Sequence, residues 1–236
     1  MYSKLNIRSP SLFKINMASL YKVKKIPFPL RKGLKVFRSY LSDYYSLNKK
    51  YGIHEFASPN YINSGRMIAE NSDGAYVGSG SSAIDMILED GNERIGIDLK
   101  SVKMVGGGLS GESSLLQNFS AFGSNLDVLF QEKRANEIIR CFQKGLVKKY
   151  DDVMTEYNLT KLGHLWIIYK LNNVYFQYFE LDATNLILSA VSSKATKSVV
   201  VDGIIPREFG VAKIYSSKKR LEVRLKSTAK KWLLFG

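Results

Sequence analysis

The sequence predicts a chain of mixed α/β class (α/β or α+β), with helices packed on a mixed β-sheet. Three observations lead there. Paired apolar runs around turn signals recur at "SSAIDMILEDGNERIGIDLKSVKM" (Ser81–Met104), "GHLWIIYKLNNVYFQYFEL" (Gly163–Leu181) and "VAKIYSSKKRLEVRLKS" (Val211–Ser227). Stretches with helical spacing precede the first pair and separate it from the second. The chain has 236 residues, 45% of them hydrophobic, which suits one packed domain. No apolar run approaches the ~18 residues that span a bilayer.

Along the chain, residues 1–30 are basic, and Pro27 and Pro29 stiffen the extended piece "IPFPL". From Leu30 to Tyr51, Leu34, Phe37, Leu41 and Tyr45 recur at helical spacing, with Arg31, Lys32, Lys35 and Arg38 on another face. That pattern is an amphipathic basic helix, equally suited to crossing a phosphate backbone or to facing water. "SGRMIAE" (Ser64–Glu70) reads as a short helix end, and "NSDGAYVGSGSS" as a glycine-rich link. The first hairpin follows, with Asp-Gly-Asn at its turn, and then a flexible loop, "VGGGLSGESS". Helices are expected at Leu115–Phe122, Asn125–Gln143 and Lys148–Tyr157. The second hairpin turns at Asn-Asn, "KSVVVDG" is a short strand, and the third hairpin has Ser216–Lys219 at its tip.

Charge is distributed unevenly. The chain carries 35 Lys+Arg against 21 Asp+Glu, a formal +14. Residues 1–50 hold 12 of the bases against one acid, Asp43, and residues 211–236 hold 8 against Glu222, so residues 51–210 keep 15 bases against 19 acids. Basic ends around an acidic middle suit a protein that grips a polyanion and collects carboxylates between the grips. The single cysteine, Cys141, excludes an internal disulfide framework and a cysteine-based zinc site, and two histidines are too few for a His-rich centre. The N-terminus has no continuous apolar core, which argues against a secretory signal. The expected location is cytoplasmic.

The first hairpin poses the chemical question. Alternation puts Ile95, Ile97, Leu99 and Val102 on one face of "RIGIDLKSV", and Gly96, Asp98 and Lys100 on the other. In the preceding strand, Asp85 shares a face with Ala83 and Ile87, opposite Ile84, Met86 and Leu88. Paired across the hairpin, Asp85 and Asp98 converge. Two close carboxylates stay ionised together only with a cation between them, and hard oxygens with open positions suit Mg²⁺. Lys100 beside that ion would orient a water or neutralise phosphate charge. An exposed strand face with an Asp–Lys salt bridge is the alternative.

Asp85, twelve residues, then Asp98-Leu99-Lys100 resembles the D…(D/E)xK signature of the PD-(D/E)xK nucleases. "GRMIAE" resembles the helical segment that carries a further glutamate in many of those enzymes, here Glu70. The family's order of a helix, an acid-bearing hairpin, then strands and helices in a mixed sheet runs parallel to residues 60–180. Ile84 stands where the signature has proline, and Gln117 is followed by Ala121 rather than by the tyrosine of the phage-exonuclease branch. Compact length and basic ends look most like a type II restriction endonuclease. The resemblance implies a restriction-endonuclease-like fold in a single nuclease domain, 1–236. Its DNA-binding elements would be the basic ends, 1–50 and 211–236. It implies hydrolysis of double-stranded DNA to 5′-phosphate and 3′-hydroxyl ends. Asp85, Asp98 and the backbone carbonyl of Leu99 would hold Mg²⁺, Lys100 would place the water, and Glu70 would hold a second metal or a metal-bound water. A homodimer and a neighbouring DNA methyltransferase gene are the expected partners.

Candidate DNA contacts are Arg31, Lys32, Lys35 and Arg38 on the basic helix, and Arg66 and Lys103 near the acids. Lys218, Lys219, Arg220 and Arg224 join them on the third hairpin, because a major groove admits a β-ribbon. "VGGGLSG" (Val105–Gly111) lacks the Gly-Lys-Ser/Thr ending of a P-loop, and Ser-His-Asp chemistry has no support beyond the two histidines. Two rivals remain. One is a structure-selective nuclease, such as a junction resolvase or repair enzyme. The other is a DNA-binding protein without catalysis, which would need no acids in the hairpin.

Overall fold

The computed structural model describes residues 19–52, 61–78, 83–104, 108–116, 125–170, 173–184 and 186–235; the side chains of 61–63 lie outside that set. The chain opens with β1 (Tyr21–Val23), α1 (Phe28–Lys50), α2 (Tyr61–Glu70), β2 (Gly74–Tyr76), β3 (Met86–Asp90) and β4 (Glu93–Lys103). It continues through β5 (Ser113–Leu116), α3 (Leu126–Gln131), α4 (Ala135–Glu156), β6 (Lys161–Lys170) and β7 (Asn173–Leu181). It ends with β8 (Ser189–Ala190), β9 (Ser198–Asp202), β10 (Gly210–Tyr215), β11 (Arg220–Leu225) and β12 (Trp232–Phe235).

These strands form two sheets. The larger runs β1-β7-β6-β4-β3-β2, with β12 also paired to β7; β4 and β6 run parallel, and the other described pairs are antiparallel. The parallel pair requires a crossover, and α4 lies within the connection. The smaller sheet is antiparallel, β5-β11-β10-β9-β8. Mixed α/β architecture is therefore as expected.

Period-two alternation sorts the large sheet's two faces. Ile95, Ile97 and Leu99 of β4 join Met86 and Leu88 of β3 under α1 (Leu30, Leu34, Phe37, Leu41) and α2 (Ile68, Ala69). The opposite face buries Ile87, Val102 and Trp166 against α4 (Ile138, Phe142, Leu146, Tyr150) and the small sheet (Ala212, Ile214, Leu221, Val223). Each fully buried side chain of this size contributes about 1.5–3 kcal/mol of transfer free energy.

Several local expectations need correction. Val102 falls with Asp98 and Lys100, because even-numbered β4 residues all face α4. Ile84 packs on that same face: it precedes β3, outside the ladder that fixes alternation, and lies where a Cβ on Gly96 would meet its Cγ2 at 3.2 Å. Leu115 and Leu116 lie in β5, not a helix, because β11 offers them ladder partners; 117–124 lie outside the described residues. α3 and α4 are separated at Glu132–Arg134, where Lys133 has φ 58°, and α4 then runs unbroken through the gap expected before Lys148. α1 begins two residues earlier than expected, with Pro29 in the first turn, where no N–H is required. The β3–β4 hairpin turns through Gly91–Asn92. Gly91 has φ 63°, which glycine adopts without steric cost.

Candidate functional site

The β3–β4 ladder ends at Met86↔Ile97, and the site sits just past that end. Asp85 Nα still donates to the Ile97 carbonyl (2.9 Å), but Leu99 finds no further strand residue on that side. Its N–H donates instead to Asp85 Oδ2 at 2.7 Å. A strand residue directs its N–H and C=O to the same side, so the Leu99 carbonyl faces the same gap. On β4 itself, Asp98 Oδ2 accepts from Lys100 Nζ at 2.6 Å, as two side chains on one face of a strand can. Asp98 is buried, with 10% of its side chain exposed against 19% for Lys100, so the ammonium forms the outer rim.

The electrostatics follow from burial. Burial and the neighbouring Asp98 push the Asp85 carboxyl up to about 6. Burial, the largest influence, would push Asp98 the same way, but the Lys100 ammonium, together with His164 and Lys149, holds Asp98 below the usual range. Lys149 of α4 turns a half-buried ammonium to the Leu115 carbonyl (2.8 Å); burial lowers its pKa, against the pull of Asp98. The hairpin thus brings together Asp85, Asp98, Leu99 and Lys100, although Asp85 arrives just past the ladder, where its carboxylate takes the place of a strand partner for Leu99, rather than by alternation. Gly96 makes room for packing, since a Cβ there would meet Leu159 Cδ1 at 2.5 Å.

Four site neighbours escaped the sequence reading, Lys149 and three more. The parallel register sets Asp98 beside His164, whose Nε2 is 3.4 Å from Asp98 Oδ2. Burial drives the His164 pKa down to about 3, so the ring is neutral at physiological pH. Its Nδ1 lies 2.7 Å from the Tyr21 hydroxyl. Tyr150 is buried near Asp98, its hydroxyl having no hydrogen-bond partner among the described residues. A lone histidine within the apolar run "LGHLWIIY" was the available signal, but its register to Asp98 depends on parallel pairing.

Other predicted residues stand apart. Glu70 is exposed at the last position of α2. Gly65 of that helix lies at Leu99, whereas Ala69 lies at Gly74, so Glu70 sits toward the turn end of the hairpin rather than level with the acids. Among the described residues, no three of His, Cys, Asp and Glu are grouped to hold a metal. α1 packs on the sheet face opposite Asp98 and Lys100. Arg31, Lys35 and Arg38 are exposed there, Lys32 pairs with Asp73, and an open groove of about 380 Å³ lies between Lys35, Arg38, Ser39, Ser42 and Phe235. Arg66 lies over the Tyr76 ring at 5.5 Å, and Lys103 is exposed. The third hairpin's cations are tied to carboxylates: Lys218 to Glu112 and Glu222, Lys219 to Asp127, Arg220 to Glu222, and Arg224 to Glu112. Of the N-terminal bases, Lys4, Arg8 and Lys14 lie outside the described residues, as does Gln117. Among the described residues, no helix is long and apolar enough to cross a membrane.

Comparison of the chain with protein-family models, with curated protein sequences and with solved structures finds no match.

Proposed function

We propose that this protein is a Mg²⁺-dependent endonuclease of the PD-(D/E)xK kind, cutting double-stranded DNA in the manner of a type II restriction enzyme. One observation carries the reading. Asp85 and Asp98 are apposed at the end of a hairpin, where Asp85 keeps a raised pKa and, among the described residues, one neutral N–H as its donor. A divalent cation resolves that conflict. The donor set fits: Mg²⁺ is commonly held by one or two carboxylates together with substrate phosphates, and the Leu99 carbonyl faces the same gap. The order α2, acid-bearing hairpin, α4, β6 adds support, because it parallels the order the resemblance implies.

When bound, Mg²⁺ polarises a phosphoryl oxygen and offsets the charge that builds on it. Asp85 and Asp98 supply its anionic ligands. Lys100, fixed by Asp98, offers N–H donors at the rim to an attacking water and to the scissile phosphate. Lys149 adds positive charge beneath. Products are a 5′-phosphate and a 3′-hydroxyl. No role for Glu70 is required. A palindromic recognition site would call for a homodimer, one copy of the hairpin site for each strand.

Plasmid DNA incubated with the full chain and Mg²⁺ tests the reading. Discrete fragments support a sequence-specific endonuclease, and cutting confined to branched DNA would move it to the structure-selective class. DNA left intact, with or without branches, overturns it in favour of a non-catalytic binder.

A further inference from the structure

Asp98 is supported from behind by groups that the cleavage chemistry does not itself require. His164 and Tyr21 are both buried, at 1% and 0% exposure, and 143 residues separate them. Strand pairing brings them to one point. β6 sets His164 beside Asp98, while Tyr21 lies two strands further out, on β1, with its ring edge-on to His164 and to Phe179 at 5.3 and 5.0 Å.

The proton arrangement follows from what each atom can accept. A neutral imidazole carries one N–H. With the proton on Nδ1, the Nε2 lone pair would face the Asp98 carboxylate, lone pair against lone pair. With the proton on Nε2, the N–H points at Asp98 Oδ2, and Nδ1 is free to accept from the Tyr21 O–H at 2.7 Å. The second arrangement satisfies both ends. His164 Nε2 makes no hydrogen bond among the described residues; Asp98 Oδ2, 3.4 Å away, is the acceptor it approaches, and a small closure would complete the bond. Lys100 and His164 both make their nearest approach to Oδ2.

We propose that Tyr21 and His164 form a positioning chain, Tyr21 O–H to His164 Nδ1 and His164 Nε2–H to Asp98 Oδ2, which fixes the Asp98 carboxylate with Oδ1 presented to a divalent cation. The proposal rests on the metal reading of Asp85 and Asp98. Both residues act through Asp98 and touch neither substrate nor cation. Groups that orient a metal ligand in this way typically change metal affinity or activity by about 10–100-fold when removed.

The test is Mn²⁺ binding to the full chain, followed by electron paramagnetic resonance, with cleavage rates and thermal melting measured in parallel. Tyr21→Phe removes one oxygen and keeps the ring packed, so the fold is retained. It should weaken Mn²⁺ about 10-fold. It should also lower kcat at fixed Mg²⁺, with recovery at high Mg²⁺ and no change in the KM for DNA. His164→Leu should weaken Mn²⁺ further, and His164→Gln, which keeps a donor in reach of Oδ2, should restore part of the loss. Asp98→Asn is the reference. If Asp98→Asn loses Mn²⁺ while folded Tyr21→Phe binds it like the wild type, the positioning chain is wrong and the metal site stands. If Asp98→Asn binds Mn²⁺ like the wild type, the metal reading fails and the chain has nothing to position. Should His164→Leu not fold, Tyr21→Phe alone decides.

Discussion

Two clusters in this molecule each contain a pair of acids with lysine, and they are resolved in opposite ways. On the small sheet, Glu112 and Glu222 meet Lys218, Arg220 and Arg224, three bases for two acids. On the large sheet, Asp85 and Asp98 share Lys100, with a half-buried Lys149 nearby and a neutral His164. Each cluster holds one acid whose pKa is raised, first by burial and then by its partner acid: Glu222 in one, Asp85 in the other. Glu222 is answered by direct ion pairs to Arg220 at 2.6 Å and Lys218 at 3.3 Å. Asp85 receives an amide N–H alone among the described residues. The density of charge is similar. What separates a strut from a site is counter-charge left undelivered.

The comparison breaks most sharply at Asp98. Asp98→Ala should lower cleavage by at least about 10³-fold with an unchanged circular dichroism spectrum. A folded variant cutting at the wild-type rate would make both clusters struts. Lys100→Ala should cost about 10²–10⁴-fold while DNA binding in Ca²⁺ survives, which a gel-shift assay reads.

Acidity offers a finer test. Asp85 titrates near 6 in the fold against an ordinary 3.8. The folded state therefore holds this proton more tightly than the unfolded chain does. That stability is full below about 3.8 and is lost as pH rises through about 6. Melting in a chelator should show this decline, and Asp85→Asn should remove it. Added Mg²⁺ should oppose the decline at its upper end. A decline of equal size in Asp85→Asn would assign it to another group.

Smaller effects lie on the third hairpin. Replacing Lys218, Lys219 and Arg220 together with Ala should flatten the dependence of log K on log salt by about 0.9 for each phosphate no longer neutralised. An unchanged slope would mean that their carboxylate partners hold them off DNA. Smallest of all, Lys219→Ala removes an exposed pair with Asp127 and should move stability by no more than about 0.5 kcal/mol in a denaturant titration.

What could be read in advance divides by range. All three hairpins and the basic helix α1 were legible, because alternation and helical spacing are written over neighbouring residues. The convergence of Asp85 with Asp98 was expected from the same alternation, but Asp85 reaches it beyond the end of the ladder, as the acceptor for the Leu99 N–H. β5 was not legible, since "SSLL" becomes a strand only when β11, over 100 residues later, pairs with it. β1 and β12 were missed for the same reason, each being a short piece that finds its place on β7. Tyr21 and His164 were the costliest omission. Nothing local marks Tyr21, and His164 matters only because β4 and β6 run parallel in one particular register.

The placement of Tyr21 has a further consequence. β1 is three residues long and lies at the sheet edge, anchored by Leu20 and Tyr21 amides donating to the Gly203 and Ile204 carbonyls at 2.8 Å each. Detaching this edge strand would bring two fully buried side chains, Leu20 and Tyr21, into water, so each opening costs their transfer free energy. Each detachment would carry the tyrosine hydroxyl away from His164 and leave Asp98 loosely held. On the proposed reading, catalysis would then be gated by fraying at a margin three strands from Asp98. Slowed exchange of the Leu20 and Tyr21 amides when a divalent ion binds would be the mark of that coupling.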